Sequence, residues 1–346
     1  MMEKIKAFLK KYQLIVLIVV GILFVVAPLI INGTVKKSNY VIDIMVRILF
    51  YIIFASSLNV INGYSGQFNI GHAGFMLIGS YTGALLATKL GMGGPWYWLA
   101  IPIAGLVTAL AGLLVALPTL KLRGIYLAIV TLGFSEIIRI VAMNWTAVTN
   151  GPLGVKNIPK VWLFGISKTS SPLVMYYIVF AFVILCLYTT YKVINSRVGR
   201  AWMSIREDSA ASMSLGVEVG KYKAINFMYG AFWAGIGGAL MAVYYRFISA
   251  DMFIVDEGFN VLAMVILGGQ GTLVGPIIGA VMVNMITEFF RFADEFRLVF
   301  YAILIIMMMW MRPQGLAGAS NSVLAGKQIK KNDKKKSKHA AKKERV

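Results

Sequence analysis

Residues 62–86 read NGYSGQFNIGHAGFMLIGSYTGALL. The stretch has the apolar content of a membrane helix. It also carries Gly, Ser, Asn, Gln and a His where lipid favours Leu and Val. Its meaning turns on whether the chain lies in a membrane. The 346 residues are 59% hydrophobic and 14% charged, with a mean hydropathy of +0.76. Soluble domains carry about 25% charged residues, and a bilayer crossing takes about 20 mostly apolar ones. Ten such runs are present: 12–31, 41–60, 68–88, 96–117, 124–144, 173–191, 223–246, 256–268, 272–290 and 297–311. The sequence therefore predicts an all-α integral membrane protein of ten transmembrane helices. The run 256–268 is short and ends in Gly, so it reads as a broken helix.

The formal net charge is +20, and its placement matters more than its size. Residues 326–346 hold ten Lys/Arg and two acids, while 1–11 and 192–223 each hold a net +3. Such clusters label cytoplasmic segments of a membrane protein. No aromatics interleave with the lysines, which argues against a nucleic-acid arm. With both termini cytoplasmic, the inside segments are 1–11, 61–67, 118–123, 192–222, 269–271 and the tail from Arg312. They carry 22 of the 34 basic residues. The outside segments carry eight: Lys36, Lys37, Lys89, Lys156, Lys160, Lys168, Arg291 and Arg297. The expected organisation is a multi-pass transmembrane domain over 1–315, with a polar cytoplasmic segment at 192–222. A basic tail over 316–346, nearly free of large apolar residues, is expected to be disordered. The opening MMEKIKAFLKKY and the apolar run after it mimic a signal peptide. That run exceeds the usual length of about 7–15 residues and no A-x-A-like site follows, so it reads as a retained helix.

Chemistry-bearing residues are sparse. Cys186 is the single cysteine, and His72 and His339 lie far apart, so no disulfide, metal site or cofactor is expected. The titratable residues inside the spans include Asp43, Arg47, His72, Glu136, Arg139, Arg246 and Glu288. Asp43/Arg47 and Glu136/Arg139 are spaced to meet on one helix face, as neutralising pairs or as parts of an ion relay. No nucleophile–base–orienter set appears, so enzyme chemistry is not expected. No G-x-x-x-x-G-K-[ST] motif appears either. ATP-driven movement of a solute would need a separate ATPase chain.

Within the opening stretch, Gly63, Gly66, Gly71, Gly74, Gly79, Ser80 and Gly83 read as a surface for close helix packing. Gln67, Asn69 and His72 are costly at membrane depth unless they face protein or a water-filled path. A second Gly-rich break, LGGQGTLVGPIIGA at 267–280, repeats the Gly-Gln pair as Gly269-Gln270 and adds Gly275. Matching breaks in two halves mark the pathway of many transporters. The candidate pathway or subunit-packing residues are thus Gly66, Gln67, Asn69, Gly71, His72, Gly74, Gly269, Gln270 and Gly275. In the polar segment, Ser204-Ile205-Arg206-Glu207 fits a capping box and Gly216 fits a helix-terminating glycine. A helix over 205–215 is expected. Ala201, Ile205, Ser212 and Leu215 would form one small or apolar face, with Arg206, Glu207 and Asp208 beside it. The acids favour a protein partner over a membrane surface.

Five ordered motifs resemble the branched-chain amino acid permease family of ABC importers. They are LNVINGYSGQFNIGHAGFMLIGSYTGALL, LRGIYLAIVTLGFSEIIRI at 122–140, TNGPLGV at 149–155, GRAWMSIREDSAASMSLGV at 199–217 and ILGGQGTLVGPIIGA at 266–280. The 122–155 block resembles the LivM type of subunit rather than its LivH-type partner. Ile125 stands where the family often has an acidic or polar residue after LRG. The resemblance implies a fold of about ten helices, similar to the larger importer permeases. It also implies pairing with a second homologous permease, two cytoplasmic ATPase subunits and an extracytoplasmic solute-binding protein. The implied substrates are leucine, isoleucine and valine or related compounds. It makes 199–216 the coupling helix that enters a groove on the ATPase, through Gly199, Arg200, Ile205, Arg206, Glu207, Asp208 and Gly216. A permease for urea or amides, and an autonomous channel or secondary transporter, stand as the alternatives.

Overall fold

The computed structural model describes residues 38–120, 122, 124–161, 172–290 and 315–317, with single positions at 28, 302, 306 and 307. The apolar runs become helices. These are α1 (Ser38–Asn59), α2 (His72–Thr88), α3 (Tyr97–Thr119), α4 (Ile125–Asn144), the single turn α5 (Thr146–Thr149), α6 (Pro172–Ile194), α7 (Arg197–Glu207), α8 (Ser209–Ser214), α9 (Val219–Tyr245), α10 (Val255–Gly268) and α11 (Gly275–Phe289). The one sheet among the described residues is a two-residue ribbon, β1 (Val155–Lys156) against β2 (Phe247–Ile248). The all-α expectation holds. Among the described residues, five helices are long and apolar enough to cross a membrane: α1 with its continuation to Tyr64, α3, α4, α6 and α9. The expected spans 12–31 and 297–311 lie outside the described residues apart from Pro28, Ala302, Ile306 and Met307, so the count of ten stays an expectation. As expected, α10 is short, at 14 residues.

Helix α9 is the centre, packed against α1, α2 and α3. Its small residues make that possible. A Cβ on Gly79 of α2 would sit 2.3 Å from Gly235 Cα, and one on Gly238 would sit 2.5 Å from Met76 O. Gly83 meets Ala239 in the same way, giving small-xxx-small contacts on both helices. The Tyr97 hydroxyl closes the α3 side by donating to Ala239 O at 2.7 Å. Helices α4 and α6 keep much of their apolar surface outward, including Ile125, Tyr126, Ile129, Ile137, Ile184 and Leu185. That is the pattern for lipid or a second subunit.

Helices α1 and α9 run antiparallel. The Tyr244 hydroxyl near the end of α9 donates to Asp43 near the start of α1. Asn226 near the start of α9 donates to Val60 O just past the end of α1, at 3.0 Å. The expected Asp43–Arg47 ion pair does not form among the described residues; Asp43 accepts from the Tyr244 hydroxyl instead. Glu136 and Arg139 do pair, at 2.5 Å, and Arg139 also approaches Asp251 at 3.6 Å.

Candidate functional site

Between α1 and α2 the chain does not form one uninterrupted span boundary. Helix α1 widens into a π-turn, Val60–Tyr64, which frees backbone carbonyls from their usual helical partners. Two carbonyls of this turn are met by groups that follow it, one near and one distant in the sequence. Gln67 N donates to Ile61 O at 3.1 Å, and Arg206 Nη1 donates to Gly63 O at 2.5 Å. The chain then reverses at Gly66, whose φ of +68° favours glycine. Residues 66–70 are irregular, and α2 begins only at His72, four residues after the expected start of that span.

Amide side chains satisfy this irregular backbone. Asn62 clamps Asn69 twice, donating to its carbonyl at 3.2 Å and accepting from its N–H at 3.1 Å. Gln67 donates to Ser65 Oγ at 2.9 Å and to Asn226 Oδ1 at 3.1 Å. Polar residues in the opening stretch thus replace the helical ladder where it is broken. Gly71 and Gly74 let this turn seat on α4. A Cβ on Gly71 would lie 1.8 Å from Thr131 O, and one on Gly74 would lie 2.9 Å from Ser135 Cα.

Two polar groups at this turn stay unmatched. Ser57 Oγ donates to Phe54 O at 2.8 Å and lies 2.8 Å from His72 Nε2. The serine has one proton to give, so Nε2 carries the imidazole hydrogen and Nδ1 is an acceptor. Neither His72 Nδ1 nor the Asn69 side-chain amide has a hydrogen-bond partner, although both residues are 0% exposed.

The second Gly-rich break packs against the first. Gly269 (φ +118°) and Gly271 (φ +72°) turn the chain between α10 and α11. Asn59 at the end of α1 accepts from Gly271 N and donates to Thr272 O, both at 2.8 Å. A Cβ on Gly63 would lie 2.4 Å from Gly271 N. Gly275 is buried, where a Cβ would meet Gly269 O at 2.2 Å, and Gln270 is exposed. Leu316 and Ala317 return to donate to the carbonyls of Leu267 and Gly268 at 2.9 Å.

The polar segment 192–222 differs from expectation in its helices and in its apolar face. The helix over 205–215 is two helices. Ser204 lies inside α7 and caps nothing; its hydroxyl meets Ser212 Oγ at 2.5 Å. Ser196 caps α7, and Asp208 caps α8 by accepting from Ala210 N and Ala211 N. The S-x-x-E pattern loses because Asp208, in extended backbone four residues after Ser204, offers the better-placed oxygen. Gly216, at φ +82°, does terminate α8. Val217 N reaches Ser212 O and Gly216 N reaches Met213 O, which is a Schellman closure.

Buried Trp202 anchors α7 by donating to Tyr222 O at 2.9 Å, and Gly199 allows α7 to touch Ile194 at the end of α6. Arg200 reaches back to Asn195 O at 3.1 Å. The expected apolar face divides. Ala201, Ile205 and Ser212 are buried within the chain, whereas Leu215 is 82% exposed. Met203 and Met213, which the sequence reading passed over, join Leu215 at the surface.

Arg206 ties these parts together. From α7 it donates to Gly63 O. Its Cγ lies 3.0 Å from where a Cβ on Gly66 would stand, and its Nη1 lies 2.5 Å from that point on Gly271. One side chain therefore touches both Gly-rich breaks. A polar cavity of about 290 Å³ opens beside it, lined by Gly66, Gln67, Gly124, Glu207, Asp208 and Lys223 among others. Asn69, Gly71, His72 and Gly74 lie away from Arg206, against α1 and α4.

A helical bundle with several membrane-crossing helices, interrupted twice at a shared junction, defines a multi-pass membrane permease. A family model described as "Branched-chain amino acid transport system / permease component" matches residues 40–310, and the chain belongs to that family. It is 38% identical to the high-affinity branched-chain amino acid transport system permease protein LivM of Salmonella typhimurium, over 80% of this chain and 69% of that protein. It is also 38% identical to LivM of Escherichia coli, over 81% of this chain and 70% of that protein. The LivH permease of Salmonella typhimurium is 24% identical over 78% of this chain and 91% of its own length. No solved structure matches the chain.

Proposed function

We propose that this chain and a second, LivH-type permease form the path for leucine, isoleucine and valine across the cytoplasmic membrane. Two cytoplasmic ATPase subunits drive it, and an extracytoplasmic solute-binding protein feeds it. The observation that carries this reading is the Arg206 contact between α7 and the two Gly-rich breaks. A push on α7–α8 is delivered by that contact to the ends of α1 and α10. The helices themselves give a partner something to grip. Met203, Met213 and Leu215 are apolar and exposed, with exposed Glu207 alongside. Asp208 serves α8 as its cap, so Glu207 is the acid available to a partner. The Asn69 amide and His72 Nδ1 are buried without a partner, at a cost of about 1–3 kcal/mol each that contact with a polar path would relieve.

Co-expression with the ATPase and LivH-type subunits tests this. The wild-type chain should co-purify with the ATPase and support ATP-dependent leucine uptake in proteoliposomes. Leu215→Asp places a charge in the centre of the proposed contact and should weaken co-purification by about thirtyfold, the effect of losing roughly 2 kcal/mol at an interface hot spot. Unchanged co-purification would remove α7–α8 as the docking element. Leucine flux through the chain alone would favour an autonomous channel instead.

Orientation follows from the same reading, with both termini cytoplasmic. Native Cys186 is buried, so an introduced thiol is read against a quiet background. A cysteine at Ser38 should react with an impermeant reagent in intact cells, and one at Ser209 only after permeabilisation. Labelling of Ser209→Cys in intact cells would reverse the topology.

A further inference from the structure

At the end of the bundle away from α7, a cavity of about 460 Å³ lies among the start of α1, the end of α9, the start of α6 and residues 160–161. This is within the range of small-molecule sites, about 300–1,000 Å³. Its floor is apolar and buried: Val161, Met175 and Val243. Its rim is charged. Asp43, Arg47, Lys160 and Arg246 line it, with the Tyr244 and Tyr245 rings between them.

Asp43, Arg47 and Arg246 are held in place but not used up. Asp43 accepts from the Tyr244 hydroxyl, which leaves most of a carboxylate's acceptor positions open. Arg246 sits in left-handed backbone at φ +56° and donates its Nε to Ile158 O at 3.2 Å. Its terminal nitrogens remain to meet a ligand. Arg47 lies beside the Tyr245 hydroxyl. Neither Arg47 nor Arg246 forms an ion pair among the described residues.

Two arginines and one carboxylate above an apolar floor select a particular kind of molecule. A simple cation meets net repulsion. A simple anion leaves Asp43 opposing it. A zwitterion with a hydrocarbon tail uses every part: its carboxylate meets the cations, its ammonium meets Asp43, and its tail covers Val161, Met175 and Val243. We propose that this cavity is a low-affinity subsite for a free α-amino acid with an apolar side chain. The zwitterion class rests on the cavity, and the preference for a branched side chain rests on the transport reading above. The subsite gives an amino acid a first resting place on the membrane subunit. Weak binding suits that role, since a tight site would hold the solute back.

The test measures radiolabelled L-leucine bound by the full chain with its LivH-type partner in nanodiscs, without the solute-binding protein. Wild type should bind leucine in the millimolar range and release it to unlabelled valine or isoleucine. Isocaproate lacks the ammonium and isoamylamine lacks the carboxylate, so both should compete at least about tenfold less well. Asp43→Asn and Arg47→Gln should each weaken leucine by about tenfold or more, for loss of one charge-assisted contact. Asp43→Glu keeps the charge and should stay within about threefold of wild type, which separates loss of binding from loss of folding.

No leucine binding by wild type at millimolar concentration, or unchanged binding in both charge variants, overturns the subsite. So does displacement of leucine by phosphatidylglycerol-rich bilayers regardless of Asp43, which would assign the cavity to lipid headgroups. ATP-dependent uptake by the complete importer is measured in parallel. Uptake without cavity binding sinks the subsite alone. Cavity binding without uptake sustains the subsite and sinks the transport reading.

Discussion

Arg206→Ala is expected to leave the permease assembled and to cut ATP-dependent leucine uptake by about ten- to a hundredfold. The range corresponds to losing a hydrogen bond from a charged donor, about 1.5–3 kcal/mol. Arg206 is the one side chain described that touches Gly63, Gly66 and Gly271 together. Without it, α7 retains its anchor through Trp202 to Tyr222 O, and the two breaks stay joined through Asn59. Folding and ATPase binding should therefore survive, while force no longer reaches α1 and α10. Arg206→Lys supplies a point charge without the planar fork, so partial recovery is expected. The measurement is uptake per ATP hydrolysed in proteoliposomes. A normal ratio in Arg206→Ala would show that coupling runs through other contacts.

The larger structural effect belongs to Gly71. A methyl there would lie 1.8 Å from the Thr131 carbonyl, and no rotamer change moves a backbone oxygen. Either α4 or the turn before α2 has to shift. Overpacking of this kind costs about 1–3 kcal/mol and more where neighbours cannot yield. Gly71→Leu is expected to abolish assembly and uptake, with Gly74→Leu close behind because its neighbour is the Ser135 backbone. Gly133 provides the contrast. It lies on α4 with nothing within 4 Å of its built Cβ. Gly133→Ala should be silent or should stabilise by up to about 1 kcal/mol through helix propensity. Detergent-resistant yield and uptake read both. Normal yield and uptake from Gly71→Leu would mean that the α2–α4 contact does not exist in the membrane.

The helices were legible because membrane spans are written in composition. The spans 96–117, 124–144 and 223–246 differ from α3, α4 and α9 by at most four residues at either end. The likeness between the two Gly-Gln breaks was legible as well, and the structure brings the breaks into contact. Their joining residue was not. Asn59 is an ordinary polar residue near a span end, and its partners lie more than 200 positions away. Nothing local marks that pairing. Asn226 is hidden for the same reason. The capping error in 204–208 has a different origin. Two oxygens compete for one helix start, and the winner depends on Asp208 being extended, which tertiary packing decides. Met203 and Met213 escaped notice because an apolar residue in a short polar segment reads as core until its exposure is known.

The glycine contacts between α2 and α9 carry a mechanical consequence. Where Gly79 meets Gly235 and Gly238 meets Met76, main chain lies on main chain. Between most helices a layer of side chains can change rotamer and let one slide past the other. Here that lubricating layer is missing, so α2 and α9 are laminated into a single beam. On the transport reading proposed above, that beam would serve as the stator of the subunit. Strokes of the transport cycle have to be taken up at its margins, where longer side chains remain: at the Arg206 contact, and along the outward faces of α4 and α6.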